Sequence, residues 1–311
     1  MERLTSDGVM PAHLRGGWIA LGNFDGFHLG HQAVVGRAVA RARAEGRPAI
    51  VATFDPHPAS FFRPNSAPFR LTTLDQRERL FAGAGADALL IFNFDRALAS
   101  RSAEEFVTML VRDFGAVGVV TGEDFTFGKG RAGNVAQLAE LGAAMGLACE
   151  AVAPVTDASG AVISSSRIRA ALQAGDCAEA EALLTRPFAI EGEVIHGDKR
   201  GRDLGFPTAN MELGGYLRPA YGIYAVQARL ADGRVVNGAA NLGIRPSFDP
   251  PKELLETYLF DFSGDLYGQT VEVSLIERLR GEAKFDGLDA LKAQMADDVT
   301  RARAILSRDS A

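Results

Sequence analysis

The chain has 311 residues, of which 47% are hydrophobic and 23% charged. That composition excludes a disordered chain, and at about 150 residues per domain it points to two folded domains. Thirty-three basic residues oppose 39 acidic ones for a net charge of −6, split as 17 against 20 up to residue 184 and 16 against 19 after it. Neither part has the basic excess that a nonspecific nucleic-acid or membrane-surface binder needs, so neither partner is expected.

Cys149 and Cys177 stand alone without CxxC or CxxH spacing, which excludes a structural zinc site and a disulfide framework. No apolar core of about 7 to 15 residues opens the chain, and no run of about 18 apolar residues occurs, so a cytoplasmic location is expected.

In chain order, residues 18–21, 49–54, 88–92, 118–121 and 147–153 read as buried strands. Between them, a helix over 31–45 carries Val34, Val35, Ala38, Val39 and Ala42 on one stripe. Ser102 and Glu105 form a capping box that opens a helix running to Phe114. This alternation predicts an α/β N-terminal domain with a doubly wound parallel sheet. Gly83 and Gly85 precede a strand and lack a third glycine, so they mark a helix end rather than a dinucleotide loop. Gly122 to Lys129 imitates a phosphate-binding Walker loop but has the wrong glycine spacing, and Gly130 stands where Ser or Thr is required.

Pro187 cannot continue a helix, so the domain boundary falls at 184–186, giving domains 1–184 and 185–311. Beyond it the period changes to two: Tyr224, Val226, Ala228 and Leu230 share one face, and Val271, Val273 and Leu275 another. Asp232-Gly233 predicts a hairpin with a type I′ turn. Several short strands imply an antiparallel β-barrel, closed by a C-terminal helix over 288–306.

Two segments carry chemistry. His28 and His31 lie one helical turn apart where the first strand enters the first long helix, and Gly30 between them leaves the backbone open. Imidazole donors beside a helix N-terminus, beyond the carboxyl end of a strand, suit a triphosphate. A zinc site is the alternative, but HxxH supplies two ligands, with only the distant His57 as a third. Further on, Ser164, Ser165 and Ser166 precede a short helix whose Arg167 and Arg169 can pair with phosphate oxygens, although serines there also serve as plain caps. In the second part, Gly201 and Gly205 permit close backbone approach, and Pro207 fixes the chain before Thr208 and Asn210 on one strand face. A hydroxyl and an amide side by side suit Mg²⁺ together with phosphate oxygens and water. A glycine-rich hairpin connection accounts for the composition equally well.

The HxGH element at 28–31 resembles the signature of nucleotidyltransferases. Together with FDPHP at 54–58, GEDFTFG at 122–128, ISSSRIR at 163–169 and GRDLGFPTAN at 201–210, the chain resembles the bacterial bifunctional riboflavin kinase and FAD synthetase family. Segments at 222–225, 241–246, 261–268 and 278–285 extend the likeness over most of the chain. The resemblance implies an FMN adenylyltransferase domain of HxGH type over 1–184 and a riboflavin kinase barrel over 185–311. The implied substrates are riboflavin, FMN and ATP, with Mg²⁺ accompanying ATP and no tightly bound organic cofactor. A homo-oligomer is left open.

For site residues, the resemblance implies catalytic roles for His28, His31, Arg169 and Glu256. It implies nucleotide contacts from Gly22, Asn23, Phe24, Asp25, Gly30 and His57, a grip on the leaving phosphates by Ser164, Ser165 and Arg167, and contacts in the kinase from Gly201, Gly205, Pro207 and Asn210. Metal would be held by Thr208 and Asn210, and flavin by Asp124, Phe125, Phe127, Arg280 and Phe285. Glu256 keeps the family's base, while Tyr258 replaces its usual histidine. The rivals are a transferase with a passive barrel and a flavin-binding sensor without chemistry. Thr208, Asn210 and Glu256 argue against the first, and intact residue sets in both halves argue against the second.

Overall fold

Strands that are apolar at every position must be covered on both faces, and the first half of the chain meets this requirement. The computed structural model describes residues 1–197, 205–245 and 252–308. In order come β1 (Glu2–Thr5), β2 (Trp18–Leu21), α1 (Leu29–Ala44), β3 (Ala49–Asp55), α2 (Pro58–Phe62), α3 (Leu74–Gly83) and β4 (Ala88–Asn93). Next are α4 (Arg96–Ser100), α5 (Ala103–Arg112), β5 (Gly118–Gly122), the short pair β6 (Thr126–Phe127) and β7 (Gly133–Asn134), α6 (Val135–Ala144) and β8 (Ala148–Val152). Residues 1–67 and 74–164 form one unit.

The main sheet of this unit has the order β1-β4-β3-β2-β5-β8, and every pairing is parallel. Alternation along the strands sends Ile19, Leu21, Ile50 and Leu90 to one face, against Val107 and Leu110 of α5 and Leu138 of α6. Trp18, Ala20, Val51 and Leu89 go to the other, against Val35, Ala38 and Ala42 of α1 and Phe81 of α3. This is the expected doubly wound arrangement. The capping box is present: the Ser102 hydroxyl accepts from Glu105 N at 3.1 Å and Glu105 Oε2 accepts from Ser102 N at 2.7 Å. Strand β1 was not expected. It is a four-residue edge strand exposed at three positions, too short and too polar to show a buried pattern.

The second unit comprises residues 68–73 and 165–311, so residues 165–184 group with it by their contacts. It contains α7 (Ser165–Ala174), α8 (Cys177–Leu184), β9 (Phe188–Glu193), β10 (Thr208–Glu212), β11 (Gly222–Arg229), β12 (Val235–Arg245), β13 (Lys252–Leu259), β14 (Thr270–Arg280) and α9 (Leu288–Leu306). Helix α8 ends where Pro187 requires, with Thr185 left-handed at its C-cap (φ 64).

The antiparallel sheet runs β10-β13-β12-β11-β14-β9. Just past β9, Ile195 N donates to Asn210 O at 2.8 Å, so the two sheet edges meet at one bridge. Tyr224, Val226, Ala228, Leu242, Leu255 and Val273 fill the interior. Outside, Ala225, Ala239, Phe260 and Leu279 pack under Ala302 and Leu306 of α9, which explains why Ala225 is as buried as its neighbours.

The β11–β12 hairpin forms, but its turn is not type I′. Gly233 (φ 87) is left-handed whereas Asp232 is not. Gly233 N donates to Leu230 O at 2.9 Å and Leu230 N to Arg234 O at 2.8 Å, the pattern of a type I turn followed by a glycine bulge.

Candidate active sites

Strand β2 delivers the chain into a tight arch over residues 22–28, and His28 caps α1 with extended backbone (φ −73, ψ 173). Phe24 (φ 50) and Phe27 (φ 45) both lie in the left-handed region, at a cost of about 1 kcal/mol or more each. Their buried rings meet Phe81 edge-on, at 5.9 and 5.0 Å between centroids. The His28 and His31 imidazoles stack at 3.6 Å and 23°, and Phe24 abuts His31 edge-on at 5.4 Å. A Cβ on Gly30 would lie 3.2 Å from the His28 ring, so glycine leaves that ring its place. Asp25 and His28 are buried. The structure thus brings together Gly22, Asn23, Phe24, Asp25, His28, Gly30 and His31.

At the end of β3, His57 caps α2: its Nδ1 accepts from Ala59 N at 3.1 Å. With Nδ1 accepting, the ring proton sits on Nε2. On the same short helix Phe62 is 64% exposed, and its ring closes a cluster with Phe61 (5.2 Å) and Phe94 (5.8 Å). Sequence reasoning missed Phe62, because one exposed phenylalanine beside half-buried ones has no periodic signature. Asp124 is exposed and Phe125 half-buried. Phe127 is a core residue stacked on Phe125 at 5.8 Å and tilted against Phe106. Also missed were two buried polar residues that grip the arch, Thr53 and Arg77. Arg77 lies among alternating charges on α3, a pattern that reads as a solvated helix face.

Ser164 is half-buried at the end of the first unit's chain, and Ser165 opens α7 in the second. Arg167 Nη2 bonds Glu179 Oε1 at 2.5 Å. Arg169 Nε donates to Phe69 O at 2.8 Å with its guanidinium 5.2 Å over the Phe69 ring.

In the barrel, the register sets the second site. Thr208 faces Tyr258 and Asn210 faces Glu256, while Glu256 also faces Asn241 on β12. Hydroxyl, amide and carboxylate therefore share one sheet face. Asn210 Nδ2 donates to Thr208 O at 3.2 Å, so the amide oxygen is the atom of this side chain that could meet a hard cation. A Cβ on Gly197 would lie 2.5 Å from that amide, so the backbone at Gly197 lies directly against it. Gly205 is left-handed (φ 89), and Pro207 leads into β10; Gly201 lies outside the described residues. Beside Thr208 opens a cavity of ≈ 340 Å³ lined by Val194, Thr257, Leu259, Phe262 and Tyr267 among others. Tyr258 stands edge-on to Phe206 at 5.3 Å. Arg280 forms a bidentate pair with buried Asp298 of α9, at 2.9 Å from Nε and 2.7 Å from Nη2, and lies 5.6 Å over Phe285.

Among the described residues no cluster of three or more His, Cys, Asp or Glu side chains could hold a metal ion. In the same residues no helix is long and apolar enough to cross a membrane.

The family model described as FAD synthetase matches residues 10–167, and that described as riboflavin kinase matches 184–306. A bifunctional riboflavin kinase/FMN adenylyltransferase of Haemophilus influenzae is 40% identical over 296 residues, spanning 94% of this chain and 96% of its own. One from Pseudomonas fluorescens is 42% identical over 299 residues, spanning 96% and 95%. A crystal structure titled a macrolide-efflux protein, from Streptococcus pneumoniae, superposes with a TM-score of 0.84 at 32% identity, covering 96% of this chain and 97% of that one.

Proposed function

Because the chain belongs to the bifunctional riboflavin kinase/FMN adenylyltransferase family, we propose that its two constellations divide the two reactions. FMN adenylylation is assigned to the arch at 22–31 in a domain spanning 1–184, and riboflavin phosphorylation to the β10–β13 pair in a domain spanning 185–311. The enzyme phosphorylates riboflavin to FMN with ATP, then adenylylates FMN to FAD with release of pyrophosphate. The observation that carries the division is that the Thr208, Asn210 and Glu256 set belongs to a different unit from the stacked histidines.

In the barrel, Glu256 accepts the proton as the 5′-hydroxyl of riboflavin attacks the γ-phosphorus of ATP and the bond to the β-phosphate oxygen breaks. The Thr208 hydroxyl and Asn210 amide oxygen are hard donors that fit Mg²⁺, with phosphate oxygens and water completing its shell. Bound there, Mg²⁺ supplies charge neutralisation on the phosphates. The cavity beside Thr208, lined by both apolar and polar side chains, suits the nucleoside end of ATP. Asp298 holds Arg280, so Arg280 supports the flavin side of this site through position more than through free charge.

At the arch, a phosphate oxygen of FMN attacks the α-phosphorus of a second ATP in line and pyrophosphate departs, so no covalent enzyme intermediate forms. The N–H groups of His28 and His31 and the first turn of α1 stabilise charge that grows on the phosphates. His57 and Ser164, both in the arch's own unit, serve the leaving pyrophosphate; the phosphate-gripping roles expected of Ser165, Arg167 and Arg169 fall on residues of the second unit. The exposed Phe62 shelf, with Asp124 and Phe125, suits the flat isoalloxazine ring; Phe127 supports it from the core. The reaction needs only soluble substrates, which favours a cytoplasmic site of action. Incubation with ATP, MgCl₂ and riboflavin followed by chromatography yields FMN and then FAD on this reading, and unaltered riboflavin overturns it.

A further inference from the structure

We infer that Thr53 and Arg77 are positioning residues for FMN adenylylation: they clamp the Asn23 carbonyl and thereby fix the arch that presents His28 and His31. The inference rests on the assignment of that arch to adenylyl transfer.

Two phenylalanines in the left-handed region within four residues persist only where the surroundings over-determine them. Helix α3 does much of this. Arg77 and Phe81 are four residues apart and so share a face. Phe81, fully buried, holds the rings of both Phe24 and Phe27. Arg77, only 2% exposed, donates from Nη1 to Asn23 O at 3.1 Å and to Thr53 Oγ1 at 3.0 Å. The Thr53 hydroxyl, fully buried at the centre of β3, donates to the same Asn23 O at 2.8 Å. Both lone pairs of that carbonyl are therefore engaged. At the far end, Gln32 Nε2 of α1 donates to Phe27 O at 3.0 Å.

A guanidinium taken this far out of water is costly unless it is fully hydrogen-bonded, and an apolar side chain would fill the same space at less expense. What an apolar replacement cannot do is hold a carbonyl at the turn from β2 into the arch. Released at Asn23, Phe24 relaxes toward ordinary backbone angles. Its ring leads directly to His31, and His31 to His28. Displacement at the clamp thus reaches both imidazoles without any contact between the clamp and substrate.

The test uses the full-length enzyme, whose riboflavin phosphorylation is an internal control. Thr53→Val keeps the shape of the side chain and loses the hydroxyl, whereas Thr53→Ser keeps the hydroxyl. Thr53→Val is expected to lower kcat for FMN adenylylation by roughly 10-fold, since small misplacements of reacting groups cost this much or more. The KM for ATP stays within about twofold, FMN formation is unchanged, and Thr53→Ser restores the rate. Arg77→Lys, whose ammonium ends one bond short of the Nη1 that makes both contacts, falls with Thr53→Val. Adenylylation within about twofold of wild type in Thr53→Val and Arg77→Lys, failure of Thr53→Ser to recover, or a joint loss of both activities overturns the inference. If His31→Ala also leaves adenylylation intact, the assignment of the arch fails. If His31→Ala abolishes it while the clamp variants do not, only the clamp fails.

Discussion

The imidazoles of His28 and His31 lie face to face, 3.6 Å between centroids and 23° from parallel. One ring belongs to the N-cap of α1 and the other to its first turn, so the geometry of that turn fixes both donors at once.

Gly30 sits between them, and a Cβ there would press on the His28 ring from 3.2 Å. Gly30→Ala is expected to slow FMN adenylylation by about 10-fold through displacement of that ring, with riboflavin phosphorylation unchanged. Steady-state rates of FAD and FMN formation on one preparation check this.

Much of this site was legible in the sequence. The strand before the arch is wholly apolar, α1 carries a continuous stripe, and HxGH names its own spacing. The clamp beneath was not legible, because Thr53 lies inside an apolar strand and Arg77 inside a charged helix, and only the tertiary fold turns both toward Asn23. Strand β1 escaped notice for the opposite reason: an exposed edge needs no buried pattern. The Asp232-Gly233 hairpin was readable, but its turn type depended on which of the two residues is left-handed, and the dipeptide alone is compatible with either. In the barrel, the pairing of Asn210 with Glu256 required the register of β10 against β13, which lies across more than forty residues of chain.

The barrel unit is expected to lose stability in alkali. Burial pushes the Cys177 thiol up to about 11, and burial also holds the Tyr216 and Tyr224 phenols well above their ordinary value. The unfolded chain releases these protons first, at about 8.5 for the thiol and about 10 for the phenols. Their contribution is therefore intact below those values and falls as pH rises through them. Thermal unfolding measured from pH 8 to pH 11 should show this decline, and Tyr224→Phe should make it shallower.

Asp298→Ala leaves the Arg280 guanidinium without its bidentate partner beneath α9. Removing one member of a buried ion pair costs about 3 kcal/mol or more, so chemical denaturation should register a loss of that order together with reduced FMN formation. Arg280→Met combined with Asp298→Leu removes both charges and should recover part of the stability.

The proposed function divides the work between two independent sites. It is tested most directly by His31→Ala and Glu256→Ala assayed side by side for conversion of riboflavin to FMN and of supplied FMN to FAD. His31→Ala should lower FAD formation by about 10²- to 10³-fold, the scale of losing one transition-state donor, and leave FMN formation intact; Glu256→Ala should abolish FMN formation and leave adenylylation of supplied FMN intact. Loss of both activities together in either variant would contradict the account.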